Sequence, residues 1–303
     1  MPAKDTINRS LLDSFIPEKV AYTAINKLTS YMNLARTVYR DFEAEVASEG
    51  DTVKVPAFGT LVANEMSQTG VVTLQNPADD EVSITLDQHW ETSFLIRDVA
   101  RAMARPQVME GYVKNGAIAL AEKIENKIAA LYTETANATI GSAGFDKAHL
   151  ADARKVLVDQ KVPKLAPKYY YTDSTAYTAM LKDTTIGNAA SFGSRNPLVS
   201  AEVPMLYGFG IFESQNVIST GSPATFHTIA YVEEAMALVM RPLPNPGQGL
   251  GVSSTVVNDE ESGVGMRVSY SWDKDHLGIQ VTLDVLFGVG VLRPEHLVVI
   301  NHT

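Results

Sequence analysis

The chain has 303 residues, 45% of them hydrophobic and 20% charged, so it can bury a full core and is not a disordered polymer. It contains no cysteine, which excludes disulfides and thiolate metal sites. Its formal net charge of −10 opposes the tight, salt-sensitive grip on a nucleic acid backbone that a cationic face would give.

Residues 1–16 read as a flexible arm, and Lys4, Asp5, Arg9 and Asp13 interrupt any secretory signal. Pro17 and Glu18 fit the first turn of a helix, with Val20, Ala24, Leu28, Tyr31 and Ala35 at helical spacing as far as Arg40. Val53 and Val55 alternate with polar neighbours, and Pro56 suits an edge strand. Residues 59–81 are rich in turn formers and have no helical period.

A long alternation follows. Val82, Ile84, Leu86, Gln88, Trp90, Thr92, Phe94 and Ile96 share one face, while Ser83, Thr85, Asp87, His89, Glu91 and Ser93 share the other. At about 3.3 Å per residue such a strand reaches on the order of 50 Å, against a usual strand of about 5–6 residues. Two strands alone are marginal in water. The expected cover for this ribbon is another copy of the chain, with Val82, Ile84, Leu86, Trp90, Phe58 and Met66 as inter-subunit contacts.

Asp98 to Ala104 is expected to make a short helical turn. Pro106 then opens a helix to about Thr135, roughly 30 residues or about 45 Å long. Its apolar stripe is Met109, Tyr112, Val113, Leu120, Ile124, Ile128 and Leu131; Glu122, Lys123, Glu125 and Lys127 are expected on the opposite side. Gly116 inside it predicts close packing. A helix capped by Asp146 runs to Val158, Tyr169–Thr172 is a strand, and Asp173 or Ser174 caps a helix through Lys182. Residues 184–204 read as loop, Gly208–Ser214 as a lead into a short strand, and Thr225–Met240 as a strand joined to a helical or buried piece. Pro242, Pro244, Pro246, Gly247, Gly249 and Gly251 make a break before a β-rich end: Met266, Val268 and Tyr270 alternate, then come Ile279–Leu292 and Leu297–Ile300. The longest apolar run, Val285–Leu292, is about half a membrane span, so the expectation is a soluble intracellular product with no membrane partner.

Chemistry-bearing patterns are sparse. Gly208-Phe209-Gly210, Gly263-Val264-Gly265 and Gly288-Val289-Gly290 lack the third glycine of a dinucleotide fingerprint and read as turns or bulges. Asp273-Lys274-Asp275-His276 is the compact acidic–histidine group, read as a solvated hairpin turn rather than a metal site. Tyr169-Tyr170-Tyr171 reads as a buried strand with one exposed ring. There is no Gly-x-Ser-x-Gly elbow, although a triad assembled in space leaves no linear trace. No catalytic, cofactor-binding or metal-binding residue is assigned.

Three segments together carry a family resemblance. Gly50-Asp51-Thr52-Val53-Lys54-Val55-Pro56 with Ile84-Thr85-Leu86-Asp87-Gln88 looks like an extended loop. Ala119-Leu120-Ala121-Glu122-Lys123-Ile124-Glu125 looks like a spine helix, and Leu286-Phe287-Gly288-Val289-Gly290-Val291-Leu292-Arg293-Pro294-Glu295 looks like a closing strand. In this order they resemble the major capsid proteins of tailed bacteriophages with the Hong Kong 97-type shell fold. The resemblance implies an α+β chain: arm and helix (1–50), extended β-hairpin loop (51–97), peripheral domain with spine helix (98–163), mixed α/β axial domain (164–246) and returning peripheral strands (247–303). It implies a non-enzymatic virion protein, made and assembled in the host cytoplasm. Its hexamers and pentamers would form an icosahedral shell around weakly contacted double-stranded DNA. A short segment before Pro17 leads to the expectation of a separate scaffolding protein, beside a portal protein and a decoration protein. The competing readings are an α/β hydrolase-like enzyme with a β-arm for dimerisation, or a compact virion accessory.

Overall fold

The computed structural model describes residues 21–29, 31–40, 52–57, 61–66, 70–76, 80–97, 107–141, 144–183, 203, 205–246, 252–259 and 264–303. The expected arm at 1–16, the cap at Pro17, the turn at 98–104, Pro106, Phe58 and most of the 184–204 loop lie outside these residues.

The first helix (α1, residues 21–29) buries Ala21, Ala24, Ile25 and Leu28. It stops short of Arg40, and a 3-10 turn over Leu34–Arg36 follows, placing Leu34, Ala35 and Val38 in the core. β1 (Thr52–Ala57) pairs antiparallel with β2 (Asp80–Thr85) alone, with Pro56 opposite Glu81.

The fifteen-residue strand expected over 82–96 is two strands. β2 ends at Thr85, Leu86 and Asp87 are unpaired, and β3 (Gln88–Arg97) joins a different sheet. Each strand has one face more covered than the other, so the alternation runs through the break, and a period of two carries no sign of a change of partner.

That second sheet is built on β12 (Gly278–Val291). β12 pairs with β3 along Gly278–Phe287, with β11 (Val264–Asp273) along Gly278–Asp284, and with β9 (Met236–Arg241) along Leu286–Val291; β10 (Val252–Asp259) extends it from β11. Every pairing is antiparallel. Gly288 and Gly290, read as a turn or bulge, lie in the last four residues of β12, where it pairs with β9. A Cβ on Gly288 would run into the backbone carbonyl of Thr85, and one on Gly290 would sit 3.1 Å from Ile84 Cγ1. The missing side chains let β2 cross the end of β12 at close quarters.

The long helix (α2, Gln107–Ala129) continues as a 3-10 turn over Ala130–Glu134 and packs on β3 and β12. Val113, Ala117, Leu120, Ala121, Ile124 and Ile128 are buried, each large aliphatic contributing about 1.5–3 kcal/mol by its burial. Gly116 marks the close approach: a Cβ there would meet Thr92 Cγ2 at 3.2 Å and Leu283 Cδ1 at 3.4 Å. Tyr112, expected in the stripe, is exposed and lies against Phe94 with ring centroids 5.6 Å apart. Glu125, expected on the polar side, is buried.

The remaining sheet has the order β13-β8-β4-β6-β5, with β7 against β8. β4 (Lys168–Thr172) pairs parallel with β6 (Phe209–Glu213) and antiparallel with β8 (Thr225–Val232). β5 (Met205–Leu206) and β7 (Ser219–Thr220) are short edges. α3 (Lys147–Asp159) starts at Asp146, whose carboxylate accepts from Ala148 N at 3.0 Å; α4 (Ser174–Lys182) starts at Asp173. These helices and this sheet enclose a second core with Leu150, Leu157, Tyr170, Met180, Phe209, Val298 and Ile300. The piece expected over Thr225–Met240 is two strands joined by a 3-10 turn at Glu233–Ala235, where the chain passes from one sheet to the other. The last strand, β13 (Leu297–His302), pairs with β8. Its partner is thus in the six-stranded sheet and not in that of β11 and β12.

Candidate inter-subunit surface

Between β1 and β2 the chain carries two stretches, 61–66 and 70–76, that lie in no helix or sheet. The Gln75 side chain bridges them, its Oε1 accepting from Val62 N at 2.8 Å while its Nε2 donates to Val62 O. Leu61, Val62, Met66, Val71, Val72 and Leu74 are all exposed on these stretches; Val71 is 92% and Leu74 91% accessible. Exposed apolar patches of this kind mark interaction sites on soluble proteins more often than a scattered hydrophobe does.

The residues expected at inter-subunit contacts separate into classes. Met66 is exposed and Val82 is half-buried. Ile84 is 1% exposed and Leu86 is buried, because both pack with Val53 against Ala237 and Val239 of β9. The root of the ribbon is thus covered by its own chain, and the uncovered apolar surface begins further out. Trp90 is half-buried beneath the ammonium groups of Lys123 and Lys127 of α2, 5.4 and 5.7 Å from its ring. Phe58 lies outside the described residues.

Buried polar contacts fix the frame beneath this surface. Arg267 Nε and Nη2 donate to the two oxygens of the buried Asp284 at 3.0 and 2.5 Å, and His89 Nε2 lies 3.3 Å from the same carboxylate. This ties β11, β12 and β3 together. Asp173 caps α4 by accepting from Thr175 N at 2.8 Å, and its other oxygen is 2.8 Å from Nε2 of the fully buried His302. Burial works to raise the Asp173 carboxyl, but the hydrogen bond and charge of His302 together with Thr175 hold it below the usual carboxylate range. Lys168 is not the surface charge its neighbours Lys161 and Lys164 suggest. Its ammonium turns inward to donate to the carbonyls of Pro163, Lys164 and Ala166 at 3.2, 3.3 and 3.0 Å, and burial, then Arg154, pulls its pKa down.

The groups weighed for chemistry have structural partners. Asp273 accepts from Asp275 N at 2.8 Å and from His276 N at 3.3 Å, and lies 2.7 Å from His276 Nδ1, closing the β11–β12 hairpin. Among the described residues no group of three or more histidines and carboxylates could hold a metal ion, and no helix is long and apolar enough to cross a membrane. Tyr170 and Tyr171 are buried in β4, with Tyr170 Oη 2.9 Å from Thr228 Oγ1 and Tyr171 donating to Ser214 Oγ at 2.7 Å; Tyr169 is half-buried.

Comparison with known proteins gives this architecture its context. The sequence pattern of a family described as phage capsid protein matches residues 94–300, from β3 to β13. No curated protein matches significantly. Among solved structures, a chain of Mycobacterium phage Che8 is 21% identical, with a TM-score of 0.67 over 89% of this chain and 90% of that one. The capsid of Cyanophage P-SCSP1u is 17% identical, with a TM-score of 0.62 over 84% of each chain. The capsid of an empty GTA particle is 12% identical, with a TM-score of 0.60 over 90% of each. The family match covers more than two-thirds of the chain and the fold agrees with solved phage capsid subunits over most of its length: the chain belongs to the phage capsid protein family.

Proposed function

We propose that the subunit closes into hexamers and pentamers of an icosahedral shell around double-stranded DNA, with residues 61–76 lying across a neighbouring copy. The observation that carries this is the exposed set Leu61, Val62, Met66, Val71, Val72 and Leu74 on a segment that its own sheets leave unpaired. Met66 and Val82 belong to the proposed contact, together with the five apolar neighbours of Met66; Ile84 and Leu86 act by anchoring the arm. A head-to-tail contact of this kind generates closed rings.

In this reading the unit around the six-stranded sheet, residues 144–232 with β13, is the axial domain. The five-stranded sheet with α2 is the peripheral domain. The net charge of −10 supports weak contact with packaged DNA, confined by the shell rather than gripped by it. A separate scaffolding protein, a portal protein and a decoration protein are the remaining partners, and assembly takes place in the host cytoplasm. Negative-stain microscopy of the expressed chain tests the reading: shells, sheets or tubes are expected, and uniform small particles at every concentration would refute it.

A further inference from the structure

Three acidic side chains are buried among the described residues. Asp284 has Arg267 and Asp173 has His302. Glu125 of α2 has no lysine, arginine or histidine partner among the described residues. Its Oε2 accepts from Leu34 N at 3.1 Å and its Oε1 from Ala35 N at 3.0 Å, across 91 and 90 positions of sequence. Both donors belong to the 3-10 turn after α1. The rest of that segment docks through few groups: Leu34, Ala35 and Val38 are buried, Thr37 Oγ1 lies 2.5 Å from Tyr231 Oη, and Tyr39 bridges to β9.

We propose that Glu125 is a proton-controlled latch that holds residues 33–38 on α2 and releases them as it ionises. Two effects compete at this carboxyl. Burial favours the neutral acid; the amides of Ala35, Leu34 and Asn33 favour the anion. Burial is the larger, and the pKa is pushed up to about 7. The ionisable groups nearest it on packed elements are Tyr171 of β4 and Tyr231 of β8, both held neutral by their own burial. Arg36 and Lys27, on the segment and on α1, are exposed, and Lys123 and Lys127 of α2 turn to Trp90. Arg40, two residues beyond the segment, is half-buried, and among the described residues no lysine, arginine or histidine is one of the groups that move the Glu125 carboxyl.

The sign follows from linkage. In the open segment the carboxyl meets water and returns to about 4.3. The docked form holds its proton more tightly, so docking is fully favoured below about pH 4 and weakens as the pH rises through 7. Between pH 6 and pH 8 the docking equilibrium falls about tenfold.

Hydrogen exchange of residues 31–39, measured on the unassembled full-length chain and corrected for intrinsic exchange, tests the latch independently of any shell. Protection in the wild type is expected to fall about tenfold from pH 6 to pH 8, and in Glu125→Gln to stay level. A level wild type, or an equal slope in Glu125→Gln, overturns the proposal. Should the variant fail to fold, the wild-type slope still decides, beside the infrared band of a protonated carboxylic acid. That band should titrate near pH 7, and its absence at pH 6 refutes the latch.

Discussion

Replacing Gly288 by alanine tests how β2 is seated on β12. The new Cβ would run into the Thr85 carbonyl and stand 3.3 Å from Ile84 Cγ2. The first obstacle is backbone, tied into the six-residue β1–β2 ladder, so the ribbon must move as a unit. Overpacking a filled site costs about 1–3 kcal/mol, and a backbone obstacle puts Gly288→Ala near the top of that range. Gly290→Ala meets the Ile84 side chain, at 3.1 Å from Cγ1, which can turn aside; about 1 kcal/mol is expected. Gly111→Ala in α2 meets nothing within 4 Å and should stabilise by about 1 kcal/mol through helix propensity. Urea denaturation of the three variants beside the wild type measures the series. A Gly288→Ala chain as stable as Gly290→Ala would refute the seating of Thr85 over β12.

Three further outcomes are expected. Leu74→Asp and Val71→Asp should leave subunit stability within about 0.5 kcal/mol while abolishing assembled particles in the microscope, since both positions face water in the free chain; particles at wild-type yield would remove residues 61–76 from the contact. Asp173→Asn loses the partner of buried His302 and should cost about 3–5 kcal/mol in denaturant. Because the folded carboxyl sits below its usual value, its stabilisation is present above about pH 3.9 and is lost as the pH falls through the folded value, so the acid limb of the stability profile should be shallower in the variant. Trp90→Ala removes a half-buried ring that two lysines of the same chain cover, so about 2 kcal/mol should be lost from the subunit itself; unchanged subunit stability with lost assembly would instead put the ring against a neighbour.

The helices were legible where their ends carry local chemistry. Asp146 and Asp173 announce α3 and α4 because a short carboxylate before an amphipathic run satisfies orphan amides, and both accept them here. Gly116 announced close packing for a similarly local reason. What failed was long-range. Nothing in the alternation of 82–96 reveals that β2 pairs with β1 and β3 with β12. Glu125 was placed on the polar face by its type, although it lies four residues after Ala121 and three before Ile128, both buried. Helical spacing carried that signal, and residue chemistry overrode it. The assignment of β13 to the sheet of β8 depends on where the chain turns after Pro294, which no residue in the strand itself encodes.

The break at Leu86–Asp87 sharpens the argument from the ribbon to assembly. A continuous strand that long, half inside the chain's own sheet, could have been stabilised entirely from within. Instead β3 belongs to the five-stranded sheet and the root of the ribbon rests on β9 through Ile84 and Leu86, so both are already covered. The stretches 61–66 and 70–76 beyond the root keep six large apolar side chains in water, braced to each other by Gln75. Their exposure weakens no core contact of this chain, because none is made there, and it is relieved only by burial elsewhere. In the proposed contact, the seating of the root on β9 through Ile84 and Leu86 lowers the ordering cost of burying the apolar far end against a neighbour.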